Sequence, residues 1–416
     1  MVNKVKSKGK YDIIVAGGGV AGCAAAVEAA RAGKRVVLFE KTVQLGGLAT
    51  IGLINLFVPM CNGRGVQIIK GMAEEFLRLS IKYGFDTIPS DWKDGEPGLY
   101  NTNQRYVTRY SAPIFSLALT ELLTELNVDI KFDTVITGAD AENGHINGIT
   151  VYTKSGFEYY EADIIIDASG DADVLHFAGV PTVTGGNYHT YIAFYTNLKE
   201  CAAALESNDI SKLVSQRAGG GANLYGKGHP EGMKLWDGTN SDDINEYLKT
   251  NQLELLESIK GEDRTQRDIT LLPIMPQFRT TRHIDGDYTM TVEDAYKHFE
   301  DSVGAICDFD RKDFLFEISY RTMVKTGFDN IIAAGRVTSG KDYAWDILRV
   351  IPPAIITGQA AGAAAALAID IQKPVYDIDI PALQKKLEDE NVIIHFDDSL
   401  IPTDITQEEF SDIGHI

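Results

Sequence analysis

The chain has 416 residues, 44% of them hydrophobic, enough for one large or two smaller packed domains. Its formal charge of −20 offers no clustered Lys and Arg to release counterions from phosphate, which excludes nucleic acid and anionic membranes as expected partners and leaves solubility as the reading of the acidity. Cys23, Cys61, Cys201 and Cys307 are scattered without C-x-x-C spacing, so no disulfide framework, structural zinc or cysteine-bound cluster is expected; the chain reads as cytoplasmic, with no metal and, beyond residue 30, no apolar run of about 18 residues to span a membrane.

The first predicted element lies in "KYDIIVAGGGVAGCAAAVEAA", residues 10–30. Preceding lysines and the Val20-Ala21-Gly22-Cys23 box would suit a lipoprotein signal, but Asp12 and Glu28 are out of place in one. A strand–turn–helix accounts for every residue. Tyr11–Ala16 is a β-branched run suited to a buried parallel strand. Gly17 permits a tight turn, Gly19 lets the backbone approach a pyrophosphate, and Gly22 lets the helix lie close on the strand. The helix, residues 20–32, begins with Val20 and Ala21 and turns its amides and dipole toward phosphate; Cys23 is then a small buried residue. Gly33 stops it, and "KRVVLFEK" supplies a second strand ending in Glu40 and Lys41, where a carboxylate can accept both hydrogen bonds from a ribose diol.

"TVQLGGLATIG" follows, and its Gly46-Gly47 doublet with Thr50 and Gly52 suggests backbone wrapped around a longer ligand than NAD, with Leu48 and Ala49 between them also candidates to contact it. Residues 67–84 predict an amphipathic helix, and 89–100 a loop rich in Pro, Gly and Trp. Residues 128–170 read as a β-meander containing Val135, with turns at Glu142–Gly144 and Lys154–Gly156, closed by a buried strand, Ile164–Ile166, that runs into Ala168-Ser169-Gly170. The glycine-rich stretch 218–232 lacks a strand–turn–helix frame and reads as a lid or linker. Arg279, Arg282 and His283 stand before an expected strand at 287–291; they could clamp a carboxylate or donate a proton, or else join two domains by salt bridges. "FDNIIAAGRVTSG" (328–340) is a strand breaking at Gly335-Arg336, and a helix follows with Pro352, Pro353 and Ala354 at its start. The acidic last 50 residues read as a solvated edge.

Together these segments resemble the glutathione-reductase-type FAD oxidoreductases. Within them the chain is similar to a subgroup of FAD-dependent oxidoreductases, kin to the fumarate-reductase flavoproteins and to tRNA-modifying flavoproteins. Its marks are "GGLATIG", "GMAEEFL" (71–77), "RTTRHIDGDYTMT" (279–291), "FEISYRTM" (316–323), "GRVTSG", "GQAAGAAAA" and "IPALQKKLEDENV" (380–392). The resemblance implies an α/β fold, in which a Rossmann-like FAD-binding domain with a parallel sheet and β-meander carries an inserted α+β substrate domain. The FAD domain is expected to be discontinuous, at 10–55, 105–180 and 325–370, with a cap at 56–104 and 182–324 and an acidic extension at 371–416. It also implies that the Ala168–Gly170 turn closes over the cofactor, that the chain after Gly335-Arg336 passes its ribityl and pyrophosphate groups, and that the last helix points at the flavin N1–C2=O edge.

FAD is expected to be non-covalent: the first histidine is His145, which rules out an N-terminal histidyl link, and Cys61 reads as a buried thiol. There is no C-x₄-C redox pair and only one G-x-G-x-x-G, so neither dithiol chemistry nor a separate NAD(P)H domain is expected. The expected activity moves a hydride between flavin N5 and a small anionic or polar substrate, with Arg282 the preferred contact and His283 the second. The alternative is an electron-transferring flavoprotein subunit with a redox partner protein, and a homodimer is compatible with either. A tRNA-modifying role fits the charge least.

Overall fold

The structure is a computed structural model that describes residues 5–88, 108–311 and 314–403. The loop expected at 89–100 lies outside the described residues. The β-branched run Ile13-Ile14-Val15 is completely buried inside the strand Lys6–Ala16, as a parallel strand covered on both faces requires. Val36–Phe39 and then Asp129–Lys131 add to one side of it in parallel. On its other side lies Gly156–Asp167, also parallel, followed by Ile331–Ala333. The chain therefore builds outward in one direction and then jumps back across its first strand, so a crevice opens between the carboxyl ends of the Lys6–Ala16 and Gly156–Asp167 strands. The meander Val135–Glu142, His145–Thr153 and the first half of Gly156–Asp167 peels off antiparallel. Its first turn takes Asn143 and Gly144 at φ 53° and 82°, both positive as a two-residue hairpin prefers.

Helix α1 (Val20–Arg31) follows the glycine turn. Residues 56–88 were expected above the crevice; instead α2 (Met72–Ile81) packs on α3 (Ala112–Glu125), with Phe76, Leu77 and Phe115 fully buried in the main core. The periodic apolar face that predicted α2 is thus buried in the same core as the parallel sheet. A short helix, α4 (Asp173–Phe177), caps the Gly156–Asp167 strand. The segment between residues 182 and 284, expected as part of the cap, is mixed structure: a three-stranded sheet of Ser215–Gly221, Thr190–Asn197 and Arg267–Leu271, with α5 (Leu198–Ser207) and α6 (Ser241–Ile259). The strand expected at 287–291 is irregular. The strand in that region is Arg282–Ile284, paired antiparallel with Thr182–Thr184, because two facing segments are needed to satisfy its amides.

Helix α7 (Tyr343–Arg349) leads directly into α8 (Ile351–Ile371). With 21 residues α8 is long and apolar enough to cross a membrane, which corrects the expectation that no such segment exists; here most of it is buried within the protein. The Ser302–Cys307 and Leu315–Ser319 hairpin packs in the same core, as do Leu383 and Leu387 of α9 (Ile380–Asp389) and the following Val392, Ile394 and Phe396. Among the described residues the segment 380–396 is thus structural, and its outward face is the solvated edge expected.

Helices α1 and α8 touch backbone to side-chain-free backbone. A Cβ on Gly358 would lie 2.2 Å from the Ala21 carbonyl, and one on Gly362 would lie 2.5 Å from that of Ala25. Gly358→Ala must separate the helices and should cost about 1–3 kcal/mol in urea unfolding. Gly138→Ala, at a position with nothing within 4 Å, should stay within roughly 0.5 kcal/mol of the parent.

Candidate functional site

The crevice at the switch point is a cleft of about 1040 Å³. Its floor is the glycine turn. Gly17, at φ 100°, passes so close to the next strand that a Cβ would stand 2.5 Å from the Ala168 carbonyl, and a Cβ on Gly22 would strike the Gly17 carbonyl at 1.9 Å. Gly22 therefore serves packing and does not line the cleft. Gly19 differs, because nothing lies within 4 Å of where its Cβ would be: the space beside it is open cleft. Val20 and Ala21 line the cleft at the start of α1, and Ile351 and Ala354 at the start of α8. Neither helix has a side-chain N-cap among the described residues, so the free amides at the start of α1 and two positive dipole ends face one cavity; in α8 Pro352 and Pro353 carry no N–H and the Ala354 amide is bonded to the Val350 carbonyl (3.0 Å), which leaves the Ile351 amide. Pro353 is buried in the first turn of α8 and does not reach the cleft lining.

At one end stands Glu40, nearly buried, accepting hydrogen bonds from the Gly18 amide (2.8 Å) and from the amide and hydroxyl of Thr42 (both 2.7 Å). These contacts fix its carboxylate on the cleft wall and leave lone pairs for a further donor. Lys41, Val135, Ala168, Ser169 and Gly170 line the same cavity. The Gly46-Gly47 loop lies on the glycine turn, with the Gly46 amide bonded to the Gly18 carbonyl at 2.7 Å, and Leu48 and Ala49 extend the wall. Thr50 instead turns inward, its hydroxyl on the Leu45 carbonyl at 2.5 Å, and holds the loop closed.

Gly335 and Arg336 also line the cleft, but the Arg336 guanidinium is spent on the protein: it donates to the carbonyls of Gly170 (2.7 Å) and Phe278 (2.5 Å) and to Asp171 (2.8 Å). Burial would raise the Asp171 carboxyl, yet Arg336 and Lys41 beside it hold it below the usual range. Asp173, which lines the cleft, is pushed up to about 6 by burial and by the neighbouring Asp171 and Asp167, against the pull of Lys41 and Arg282.

The three expected substrate contacts separate. Arg282 donates through Nε to the Asp171 carbonyl (2.9 Å) and through Nη2 to Asp173 (3.2 Å) and lines neither this cleft nor the second cavity described below: these bonds tie the Arg282–Ile284 strand to the Ala168–Asp173 turn, a structural role in place of the expected substrate contact. His283 is buried on the wall of a second cavity of about 1240 Å³ lined by Tyr188, Tyr225, Tyr343 and Trp345. Its Nδ1 lies 2.6 Å from the Ile284 carbonyl and so must carry the proton, while burial lowers its pKa and keeps the ring neutral with a lone pair on Nε2. Arg279 is half-buried and donates only to main-chain carbonyls, of Asn223 (2.7 Å) and Ala222 (3.3 Å). Among the described residues no carboxylate lies within ion-pair distance of it. Burial and the nearby positive Arg349 lower its pKa. Arg349 itself lines the first cavity and its partner Asp346 the second, so the Arg349–Asp346 pair stands between the two spaces, while Arg279 lines neither.

Sequence reasoning missed Asp173 and Met275 on the cleft wall; Asp173 follows Asp171 by two residues in a turn, a visible signal, whereas nothing marks Met275. The glycine-rich 218–232 stretch contributes Leu224 and Tyr225 to the second cavity. Cys61, buried with its thiol pushed up by burial, is not on the cleft wall.

The Asp173–Arg282 pair sets a pH dependence. Since the folded pKa of Asp173 is raised, its contribution to stability is greatest below about pH 4 and is lost as the pH rises through about 6. Arg282 offsets this loss, so Arg282→Ala should lower Tm more at about pH 8 than at about pH 5, and adding Asp173→Asn should erase the difference in a pH series of melting curves.

Comparison with known proteins bears on this site. No match is found among curated protein sequences. Solved structures of low similarity include a geranylgeranyl bacteriochlorophyll reductase-like protein from Thermoplasma acidophilum (16% identity, 97% of this chain and 95% of that one, TM-score 0.43). Others are a p-nitrophenol 4-monooxygenase from Pseudomonas putida (12%, 92% and 84%, 0.44) and a flavoprotein/dehydrogenase from Cytophaga hutchinsonii (15%, 91% and 84%, 0.43). The family model for FAD dependent oxidoreductases matches residues 12–217 and 305–387, more than half of the chain. The protein belongs to that family and is an enzyme with FAD as its cofactor.

Proposed function

We propose that this FAD-dependent oxidoreductase moves a hydride between flavin N5 and a carbon of a small anionic or polar substrate held at the junction of the two cavities. The observation that carries the reading is Arg279: a half-buried guanidinium without a carboxylate partner among the described residues, in a chain of net charge −20. Asp346 offsets only part of the burial of this cation, and an anionic ligand would offset more of it.

The cleft fits FAD. Glu40 would accept the adenosine ribose hydroxyls, the open space beside Gly19 and the two uncapped helix starts would take the pyrophosphate and the flavin's electron-rich edge, and small residues leave room for backbone approach. The bound flavin supplies two-electron redox chemistry. The chain supplies the rest. Arg349 on the cleft wall, with Arg279 near it, would anchor a carboxylate; Ile51, Met275 and Ile351 would keep water from the cleft; and Nε2 of His283 would hold or accept a proton in the aromatic second cavity.

Anaerobic mixing of the holoenzyme, oxidised or dithionite-reduced, with hydroxy, amino and α,β-unsaturated carboxylic acids tests the reading. Bleaching or recovery of the visible flavin band by one of them supports it; response to a protein electron partner alone would make the chain an electron-transferring subunit instead. Two substitutions sharpen the test. Glu40→Ala should weaken FAD retention by about 10-fold or more, read by dialysis, and the released cofactor should migrate as FAD rather than FMN. Arg279→Ala should lower kcat/KM for the responding acid by roughly 30- to 1000-fold, the loss of a charge-assisted contact worth about 2–4 kcal/mol, with FAD content unchanged.

A further inference from the structure

Away from both cavities, His298, Glu317 and His395 bring their side chains to one point. We propose that these three residues bind one divalent first-row transition ion, zinc being the best fit, and that the ion fastens the C-terminal segment to the body of the protein.

Glu317 sits within the Leu315–Ser319 strand with its side chain fully buried. A buried carboxylate is costly without partners, and this one is aimed between two imidazoles that both present Nδ1: Oε1 lies 2.5 Å from His298 and Oε2 3.0 Å from His395. The ligand atoms of the three residues all fall within 4.8 Å of one another. Spreading these contacts by less than about 1 Å would admit an ion at the usual zinc distances of ~2.0–2.2 Å. The two rings stand at 81° to each other, so their Nδ1 atoms reach Glu317 from different directions; each donates a proton to the carboxylate there, and an ion would take the place of those protons.

The surroundings choose the nitrogen. Asp398 lies 2.8 Å from Nε2 of His298, and Phe396 stacks on the ring at 4.4 Å, so a carboxylate and an aromatic plane together hold Nδ1 toward the centre. A carboxylate on the far nitrogen of a ligating histidine is the usual outer support of a metal site. His298 and His395 are each close to half exposed, which leaves a solvent side for a water as fourth ligand. Two imidazoles and one carboxylate suit zinc and its first-row neighbours. They do not suit calcium or magnesium, which take oxygen, nor soft copper(I). The three ligands belong to the loop before the Ser302–Cys307 strand, to the Leu315–Ser319 strand and to the C-terminal segment whose Val392, Ile394 and Phe396 enter the core. An ion there would join all three.

The test uses the FAD-loaded full chain, treated with chelator and titrated with zinc sulfate by calorimetry, with cobalt(II) absorption as a second readout. The expected result is one tight equivalent, a Tm that rises with zinc, cobalt bands of a nitrogen–oxygen site, and an unchanged flavin spectrum. Calcium should not bind. His395→Gln can still donate to Glu317 but is a poor ligand, and it should weaken zinc binding on the order of 100-fold or more, as should Glu317→Gln. If the buried Glu317→Gln variant fails to fold, His395→Gln decides alone. Absence of a stoichiometric equivalent, equal binding of calcium, or zinc binding untouched by His395→Gln overturns the proposal and leaves a hydrogen-bonded cluster that only neutralises Glu317.

Discussion

The carbonyl of Ala21 in α1 faces Gly358 of α8, and the carbonyl of Gly17 faces Gly22, both at distances that leave no room for a side chain. This mutual approach of strand turn, first helix and last helix is what the cleft depends on. It brings two uncapped helix starts, from opposite ends of the chain, onto one cavity wall. Helix starts carry partial positive charge, so an anion in this cleft would be stabilised without a lysine or arginine. The two charged residues one would have credited with that work, Lys41 and Arg336, are occupied by Asp171 and main-chain carbonyls. Their task is to hold the Ala168–Asp173 turn shut against the cavity.

What could be read beforehand follows from how local the cause is. The Ile13–Val15 strand, the glycine turn, α1, Glu40 and the Asn143-Gly144 hairpin each obey constraints within a few residues, and all appear where their residue types demand. The apolar face of α2 was legible too, but not the partner it buries against, because periodicity names a face and leaves its neighbour open. The same limit governs the arginines. Arg279 and Arg282 are three residues apart with the same chemistry, and only the fold puts Asp173 beside one and bare carbonyls beside the other. His283, Trp345 and Tyr343 form a cavity wall from segments far apart in sequence, which no spacing rule could join.

Between the cavities, α7 carries residues for both sides: Asp346 and Trp345 outward to the aromatic space, Arg349 inward to the cleft. It starts at Asp342, held at φ 50°, a backbone region that favours glycine and that the surrounding structure must enforce. The Trp345 indole donates to the Arg336 carbonyl at 2.7 Å, which ties the strained start to the turn below it. Cofactor wall and second cavity are thus one mechanical unit, and a change in the position of α7 would be felt by both.

The joining of α1 to α8 also imposes an order on biosynthesis. The glycine turn emerges from the ribosome early, but the strand that completes its sheet, Ile331–Ala333, and the helix that covers α1 follow only after the whole cap has been made. During that interval the small-residue face of α1 has no partner, and the nascent chain has only one of the two helix starts that form the cleft. Such distant contacts slow folding and prolong the exposure of apolar surface. The cap must therefore reach a compact state by itself, or remain shielded, before the cofactor can be captured, and a chain halted short of α8 would be colourless and prone to aggregation.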